Sequence, residues 1–168
     1  MKNLVFLSVL HAVGLCSLAA SPPPEIKSVL KESGLEGGFV VHLGSKDGKA
    51  TAELRPNWSF QVQALVTNVS WLDEVRDEIR ETTGDYGPIS ADLSIADHLP
   101  YIDNLVNLIV CEEDFEVEEQ EILRVLSPLG KAFVKKDGKW KSFSKPWPED
   151  IDEWTHYLHG ADGNAVAK

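Results

Sequence analysis

The chain has 168 residues, and 43% of them are hydrophobic, which is enough for one domain with a well-packed core. Acidic residues outnumber basic residues by 27 to 16, and the formal net charge is −11. Because nucleic acids and anionic membrane surfaces attract basic faces, this charge argues against both as partners.

The first 20 residues have the composition of an export signal. A positive start is followed by an apolar stretch from Leu4 to Cys16 and by small residues up to Ala20, and the prolines at 22–24 then exclude a continuing helix. The apolar stretch is short for a bilayer span. We therefore expect a signal peptide at 1–20, an exported protein that is periplasmic or extracellular, and no membrane span after cleavage. The alternatives are an uncleaved membrane anchor and a lipoprotein processed at Cys16.

Downstream of the prolines, helical and strand patterns alternate along the chain. Nearly continuous apolar runs predict buried strands, and apolar residues that repeat every three or four positions predict helices. In chain order, the predicted elements are a helix at 25–33, a strand at 39–43, a helix at 49–54, a strand at 60–66, a helix at 71–83, a weak strand at 89–93, a loop at 94–104, a strand at 105–111, a helix at 117–126, a turn at 127–130, a strand at 131–135, a hairpin strand at 140–143 and a last helix from Pro148 to about Leu158. This order predicts an α/β fold, with a mostly parallel sheet, helices on both faces, and a C-terminal hairpin and helix.

Four motifs lie at the ends of these predicted elements. The first strand runs into Gly-Ser-Lys-Asp-Gly at 44–48, and the second strand ends within 62–68. The loop at 97–104 reads Asp-His-Leu-Pro-Tyr-Ile-Asp-Asn, and the segment 124–130 reads Arg-Val-Leu-Ser-Pro-Leu-Gly. In their order and spacing, across about residues 35–143, these motifs resemble class I S-adenosylmethionine (SAM) methyltransferases. The resemblance implies a Rossmann-like fold that binds SAM beside the first strand.

The resemblance also implies which residues would contact SAM. The glycine loop would lie against its methionine half, the end of the second strand against its ribose, and the third motif against its adenine. The cofactor-binding candidates are therefore Gly44, Ser45, Lys46, Gly48, Thr67, Asn68, Asp97 and His98. No catalytic or metal-binding residues are predicted, because the acidic run at 112–114 is interpreted as a solvated turn and Cys111 as a core residue.

Several positions depart from the family pattern. Lys46 replaces the middle glycine and places a cation near the positive sulfonium of SAM, and Leu129 replaces a glycine of the fourth motif. Thr67 or Asn68 stands where the family has a carboxylate for the ribose hydroxyls, and His42 lies near a second missing acidic position. Because each lost hydrogen bond to the ligand costs about 1–3 kcal/mol, these departures predict weak SAM binding and a catalytically silent domain.

The C-terminal residues carry a different signature. Trp154 and Tyr157, followed by Asp-Gly-Asn at 162–164, resemble the opening of β-propellers related to pyrroloquinoline quinone (PQQ) dehydrogenases. The chain resembles exported planctomycete-type bacterial proteins in which a degenerate methyltransferase-like domain precedes such a propeller. This resemblance implies a methyltransferase-like domain at 25–145, and a C-terminal helix with the start of a truncated propeller region at 146–168. The alternative is an ordinary amphipathic helix with Trp154 packed on the domain.

These observations lead to three hypotheses for the function. The favoured one is a silent scaffold whose partner is a following propeller domain in the same polypeptide. The first alternative is an active SAM-dependent methyltransferase with an unknown acceptor. The second is a binding module in which Lys46 recruits an anion or another small ligand to the start of a helix. Because SAM is made in the cytoplasm, the export signal favours the scaffold.

Overall fold

The computed structural model describes residues 26–94 and 98–149. The strands in this part of the chain are β1 (Gly38–Leu43), β2 (Phe60–Val66), β3 (Ile89–Leu93), β4 (Val106–Cys111), β5 (Leu126–Lys136) and β6 (Lys139–Ser144). The helices are α1 (Ile26–Ser33), α2 (Gly48–Glu53), α3 (Val69–Thr83) and α4 (Glu119–Val125). Each helix and strand that the sequence predicts before residue 145 overlaps one of these elements.

All six strands join one sheet in the order β3-β2-β1-β4-β5-β6. The first five are parallel, and β6 returns antiparallel to β5 through the hairpin predicted at Asp137-Gly138. Strands β2 and β3 are added on one side of β1, and the chain then crosses back to add β4, β5 and β6 on the other side. The strand order therefore reverses between β1 and β4, and ligands of open α/β sheets bind at such a reversal.

Helices cover both faces of the sheet, as predicted. Because successive residues of a strand point to opposite faces, Val40 lies in the core beneath α1, α2 and α3, whereas Val41 and Leu43 lie in the core beneath α4. The first core takes Val75 and Ile79 from the apolar face of α3. Packing from both sides holds β1 in place and fixes the position of the loop that follows it.

Between β3 and β4, the described residues 94 and 98–105 form no helix, in agreement with the loop predicted at 94–104. Within the described stretch 98–105, Leu99 and Tyr101 fill the second core, and the Tyr101 ring packs edge-on against Phe39 with 5.5 Å between centroids. The Tyr101 hydroxyl donates a hydrogen bond of 3.1 Å to the Gln63 side chain. This part of the sheet face is thus covered by a few side chains of a loop, which explains the short length of the domain.

Strand β5 begins earlier than the sequence predicts. The sequence predicts a turn at 127–130, but β5 follows α4 directly from Leu126. The Leu129 N–H donates to the Lys145 carbonyl at 3.0 Å, and the Lys145 N–H donates to the Gly130 carbonyl at 2.9 Å. These hydrogen bonds continue the pairing of β5 with the chain beyond β6, and a local sequence pattern carries no trace of them.

Some predicted features lie outside the described residues. They are the export signal at 1–20, the third-motif residue Asp97, and the C-terminal helix and propeller signature beyond residue 149. Pro148 and Glu149, where that helix is predicted to begin, are described and are not helical. Within the described part of the chain, no helix has the length and hydrophobicity needed to cross a membrane.

Candidate functional site

The ends of three parallel strands meet where the strand order reverses. Gly44 follows β1, Thr67 follows β2 and Glu112 follows β4. The Gly44 N–H donates to the Leu65 carbonyl at 2.8 Å, and the Glu112 N–H donates to the Leu43 carbonyl at 2.9 Å. These hydrogen bonds hold the three loops together and bring the acidic turn after β4 beside the glycine loop.

A cavity of about 230 Å³ opens between the loop after β1 and the loop after β4. Pockets for small molecules commonly measure about 300–1,000 Å³, so the part of the crevice that the described residues enclose is small. Its polar wall is formed by His42, Gly44, Lys46, Asp47, Glu112 and Asp114. Of the predicted SAM contacts, Gly44 and Lys46 belong to it, whereas His98 lines an open depression of about 730 Å³ beside α4.

The two glycines of the first motif are required by the packing of the protein itself. Gly44 has a positive φ of 74°, and a Cβ at this position would lie 2.9 Å from Cβ of the buried Phe115. A Cβ at Gly48 would collide with the Val75 carbonyl and lie 2.8 Å from Cβ of Glu78, so this glycine lets α2 pack against α3. The glycines therefore do not by themselves indicate a bound cofactor.

Carboxylates of the chain occupy the N–H groups at the start of α2. Asp47 is the N-cap, and its Oδ1 accepts from the N–H groups of Lys49 and Ala50 at 2.8 and 3.1 Å. The Gly48 N–H donates to Oε2 of Glu78 at 2.7 Å. Because these groups are the ones that would receive an anion, two acidic side chains here argue against the anion-binding alternative.

Lys46 extends across the mouth of the cavity. Its Nζ forms an ion pair with Asp114, and it lies 4.7 Å from the centroid of the Trp71 ring. Asp114 belongs to the acidic turn after β4, which the sequence analysis treats as a solvated turn. The side chain thus joins the loops after β1 and β4 to the start of α3.

The end of β2 supplies no carboxylate for a ribose. Thr67 is exposed, and Asn68 is the N-cap of α3. Oδ1 of Asn68 accepts hydrogen bonds from the N–H and the hydroxyl of Ser70, at 2.9 and 2.6 Å. The side chain of Asn68 is therefore already engaged in capping α3.

The structure adds to the site His42, which the motifs do not predict to be a cofactor-binding residue. Its side chain is 1% exposed, and Nδ1 lies 2.9 Å from the Thr51 hydroxyl, which is in turn 2.7 Å from the Ser45 hydroxyl. Ser45, a predicted SAM contact, is therefore buried and bonded within the protein. Among the described residues, Nε2 of His42 has no hydrogen-bond partner. The signal in the sequence is a polar residue inside an otherwise apolar strand.

Glu112 lies beside His42 at the wall of the cavity. Its Oε1 lies 3.8 Å from Nε2 of His42, which is longer than a direct hydrogen bond, and its Oε2 lies 3.2 Å from Nζ of Lys135. The proximity of His42 is the largest cause that holds the pKa of Glu112 below its ordinary value; Lys135 also lowers this pKa, and burial opposes both. Glu112 is thus an ionised carboxylate at neutral pH beside the buried nitrogen that lacks a hydrogen-bond partner.

Cys111 does not lie in surroundings that would activate its thiol. Cys111 is buried, as predicted, and burial raises the pKa of its thiol to about 12. Within residues 26–94 and 98–149, no three side chains of the metal-ligating types come together to hold an ion. The arrangement is suited to binding through hydrogen bonds and charge.

Comparisons with known proteins identify the fold. No protein-family model matches the chain. No curated protein matches it in sequence. Among solved structures, a proposed SAM-dependent methyltransferase from Methanococcus maripaludis aligns with a TM-score of 0.55 at 21% identity, over 66% of this chain and 53% of that chain. The geranyl diphosphate C-methyltransferase from Streptomyces coelicolor A3(2) aligns with a TM-score of 0.56 at 15% identity, over 65% of this chain and 43% of that chain.

These neighbours show that the chain has a fold like that of class I SAM-dependent methyltransferases, as its motifs predict. The same fold occurs in the cyclase SpnF, with a TM-score of 0.57 at 22% identity, over 66% of this chain and 43% of that chain. The fold therefore does not by itself specify methyl transfer. The chain spans about half the length of the solved structures that it matches.

Proposed function

We propose that this chain is an exported methyltransferase-like domain that is catalytically silent and acts as the N-terminal scaffold of a propeller protein. The observation that supports the proposal is that the chain's own side chains already bond polar groups around the crevice in which the resemblance would place SAM. Asp47 and Glu78 accept the N–H groups at the start of α2, and Asn68 caps α3. Lys46 lies across the mouth of the cavity, paired with Asp114.

These hydrogen bonds would oppose any ligand that had to displace them. A hydrogen bond to a charged group contributes about 1.5–3 kcal/mol, so a ligand that displaced two of them would bind about a hundredfold or more weakly. Thr67 offers the ribose a single hydroxyl, whereas a carboxylate would accept from both ribose hydroxyls with charge assistance. The bonded N–H groups at the start of α2 and the missing carboxylate at the end of β2 thus both oppose SAM binding in the same crevice.

The scaffold role is supported by features at the two ends of the sequence. The export signal at 1–20 takes the chain away from the compartment in which SAM is made, and the propeller signature begins at Trp154. In such a protein, a domain that does not bind the cofactor can still present a rigid surface to the domain that follows. In this proposal the partner is the propeller of the same polypeptide.

Calorimetry of residues 21–168 with SAM tests the silence of the domain. We expect no heat of binding up to millimolar SAM, from a protein whose circular dichroism spectrum shows it to be folded. A micromolar dissociation constant would overturn the proposal and support the alternative of an active methyltransferase with an unknown acceptor.

The charged lining of the cavity favours one other function, the binding of a small polar ligand. The cavity walls carry the ammonium of Lys46 and the carboxylates of Glu112 and Asp114, so a zwitterion suits them better than an anion. L-methionine and adenosine, the two halves of SAM, serve as probes in the same calorimeter. Binding of L-methionine without SAM binding would support this small-ligand function, and a lack of response to all three would support the scaffold alone.

A further inference from the structure

Exposed apolar side chains lie at the edge of the sheet opposite the cavity. Leu105, Leu129 and Trp147 are 41%, 63% and 49% exposed, and we call them the basal patch. Backbone and side-chain contacts hold this region together, because the Leu129 N–H donates to the Lys145 carbonyl at 3.0 Å and Nζ of Lys145 donates to Oδ1 of Asn104 at 2.6 Å. The patch therefore lies around the starts of β4 and β5.

Leu129 has an unfavourable backbone conformation for a leucine. Its φ is 64°, a region where the Cβ of an L-residue crowds the carbonyl oxygen and where glycine is the usual residue. Asn104 in the same region has a φ of 62°, but asparagine tolerates this conformation. An exposed leucine in a strained conformation is explained if its side chain contacts something beyond the described residues.

The next segment of the same chain has the composition to cover the patch. Only Pro148 and Glu149 separate Trp147 from residues 150–168. Ile151, Trp154 and Leu158 fall at the spacing of one helical face, and the sequence predicts a helix there. Because the tether is so short, the effective concentration of this face at the patch is in the millimolar range.

The charge at the basal patch also favours the segment that follows Glu149 as its occupant. Nζ of Lys145 donates to two oxygens of neutral groups, and among the described residues it has no carboxylate partner. The segment supplies Asp150, Asp152 and Glu153 between and beside its apolar positions. An acidic amphipathic segment therefore complements a patch that joins apolar side chains to an unpaired ammonium.

We propose that residues 150–158 dock on the basal patch through Ile151, Trp154 and Leu158. The docked segment lies at the amino ends of the parallel strands and leaves the cavity at their carboxyl ends open. This proposal does not depend on the proposed function, because it concerns the surface that receives the chain's own continuation and holds whether or not SAM binds.

Hydrogen exchange of the full chain without its predicted signal, residues 21–168, tests the docking. We expect the amides of 151–158 to be protected at least about tenfold, and to lose this protection in Leu129→Gly. Leu129→Gly relieves the backbone strain, so the variant is expected to remain folded, and protection of β1 in the same experiment verifies this. Val69→Ser, which alters an exposed aliphatic residue at the opposite edge, is the control and should leave the protection unchanged.

Two results would overturn the proposal. In the first, 151–158 exchange at unprotected rates in the wild-type chain, or keep their protection in Leu129→Gly. In the second, protection rises with protein concentration and light scattering shows a dimer, which would assign the patch to a second copy of the chain.

Discussion

Lys46 occupies a position at which a glycine would leave room for a ligand. Its ammonium is held by the ion pair with Asp114 and by the Trp71 ring at 4.7 Å. An exposed ion pair contributes about 0–1 kcal/mol, and an exposed cation–π contact about 0.5–1 kcal/mol. The residue therefore lines the cavity through interactions that can be removed without unfolding the domain.

The double variant Lys46→Gly/Thr67→Asp should gain affinity for SAM. It removes the cation near the sulfonium and returns a carboxylate to the end of β2. We expect measurable SAM binding by calorimetry, at least about tenfold tighter than in Lys46→Gly/Thr67→Asn, which has nearly the same shape without the charge. If the two variants bind equally weakly, the remaining closure by Asp47, Asn68 and Phe115 accounts for the silence instead.

Local patterns in the sequence predict part of the site. The other residues of the site come together only in the folded chain, because they are far apart in sequence. The first motif predicts a crevice at the loop after β1, and Gly44 and Lys46 line a cavity there, because a turn after a buried strand is a local pattern. His42 was not a candidate, because Thr51 and Glu112 reach it only after β1, α2 and β4 have assembled. The same limit applies to Asn68, whose role as a helix cap depends on where α3 begins.

At the scale of elements, burial decides what can be predicted. The central strands are apolar over nearly their whole length because both of their faces are covered, and this run is visible without a structure. The start of β5 was misjudged, because Pro128 and Gly130 indicate a turn locally while the Leu129 and Lys145 backbones pair across the sheet. Long-range hydrogen bonds overrode the local preference there.

The loop between β3 and β4 depends on α4 for its position. Arg124 donates to the carbonyls of Leu99 and Tyr101 at 3.2 and 2.9 Å, and Glu121 accepts the Leu99 N–H at 2.8 Å. Glu121 and Arg124 also pair directly at 2.7 Å. Hydrogen bonding to Arg124 is the largest cause that lowers the pKa of Glu121 to about 2.

Glu121→Gln should therefore change how stability depends on pH. A folded pKa below the ordinary value of about 4.3 means that the carboxylate stabilises the fold at neutral pH, and that this contribution is lost as the pH falls from about 5 towards 2. We expect the variant to lose on the order of 2 kcal/mol of unfolding free energy near pH 7, with the difference shrinking in acid. Urea unfolding at several pH values measures this difference in unfolding free energy between the variant and the wild type. Glu119→Gln, an exposed carboxylate on the same helix, should lose less than about 0.5 kcal/mol. A deficit that stays constant with pH would assign the effect to packing.

At the scale of the whole molecule, the two edges of the sheet carry different features. The cavity lies at the carboxyl ends of the parallel strands, which we call the carboxyl edge. The basal patch lies at their amino ends, the amino edge, and the chain continues from there. Strand β6 produces this arrangement, because its antiparallel direction returns the chain to the amino edge after β5. A domain built in this way can be joined at its base to a following segment while its crevice stays accessible.

Removing residues 150–168 should therefore destabilise the domain through the basal patch. Burial of the apolar side chains at Ile151, Trp154 and Leu158 leads us to expect that residues 21–149 unfold with about 1–3 kcal/mol less free energy than residues 21–168. In the Leu129→Gly background the loss should shrink by at least about 1 kcal/mol, because the two changes remove the same contact. Urea unfolding of the four proteins gives this coupling directly. An equal loss in both backgrounds would place the segment elsewhere on the domain, and no loss in either would show that it contributes nothing to the fold.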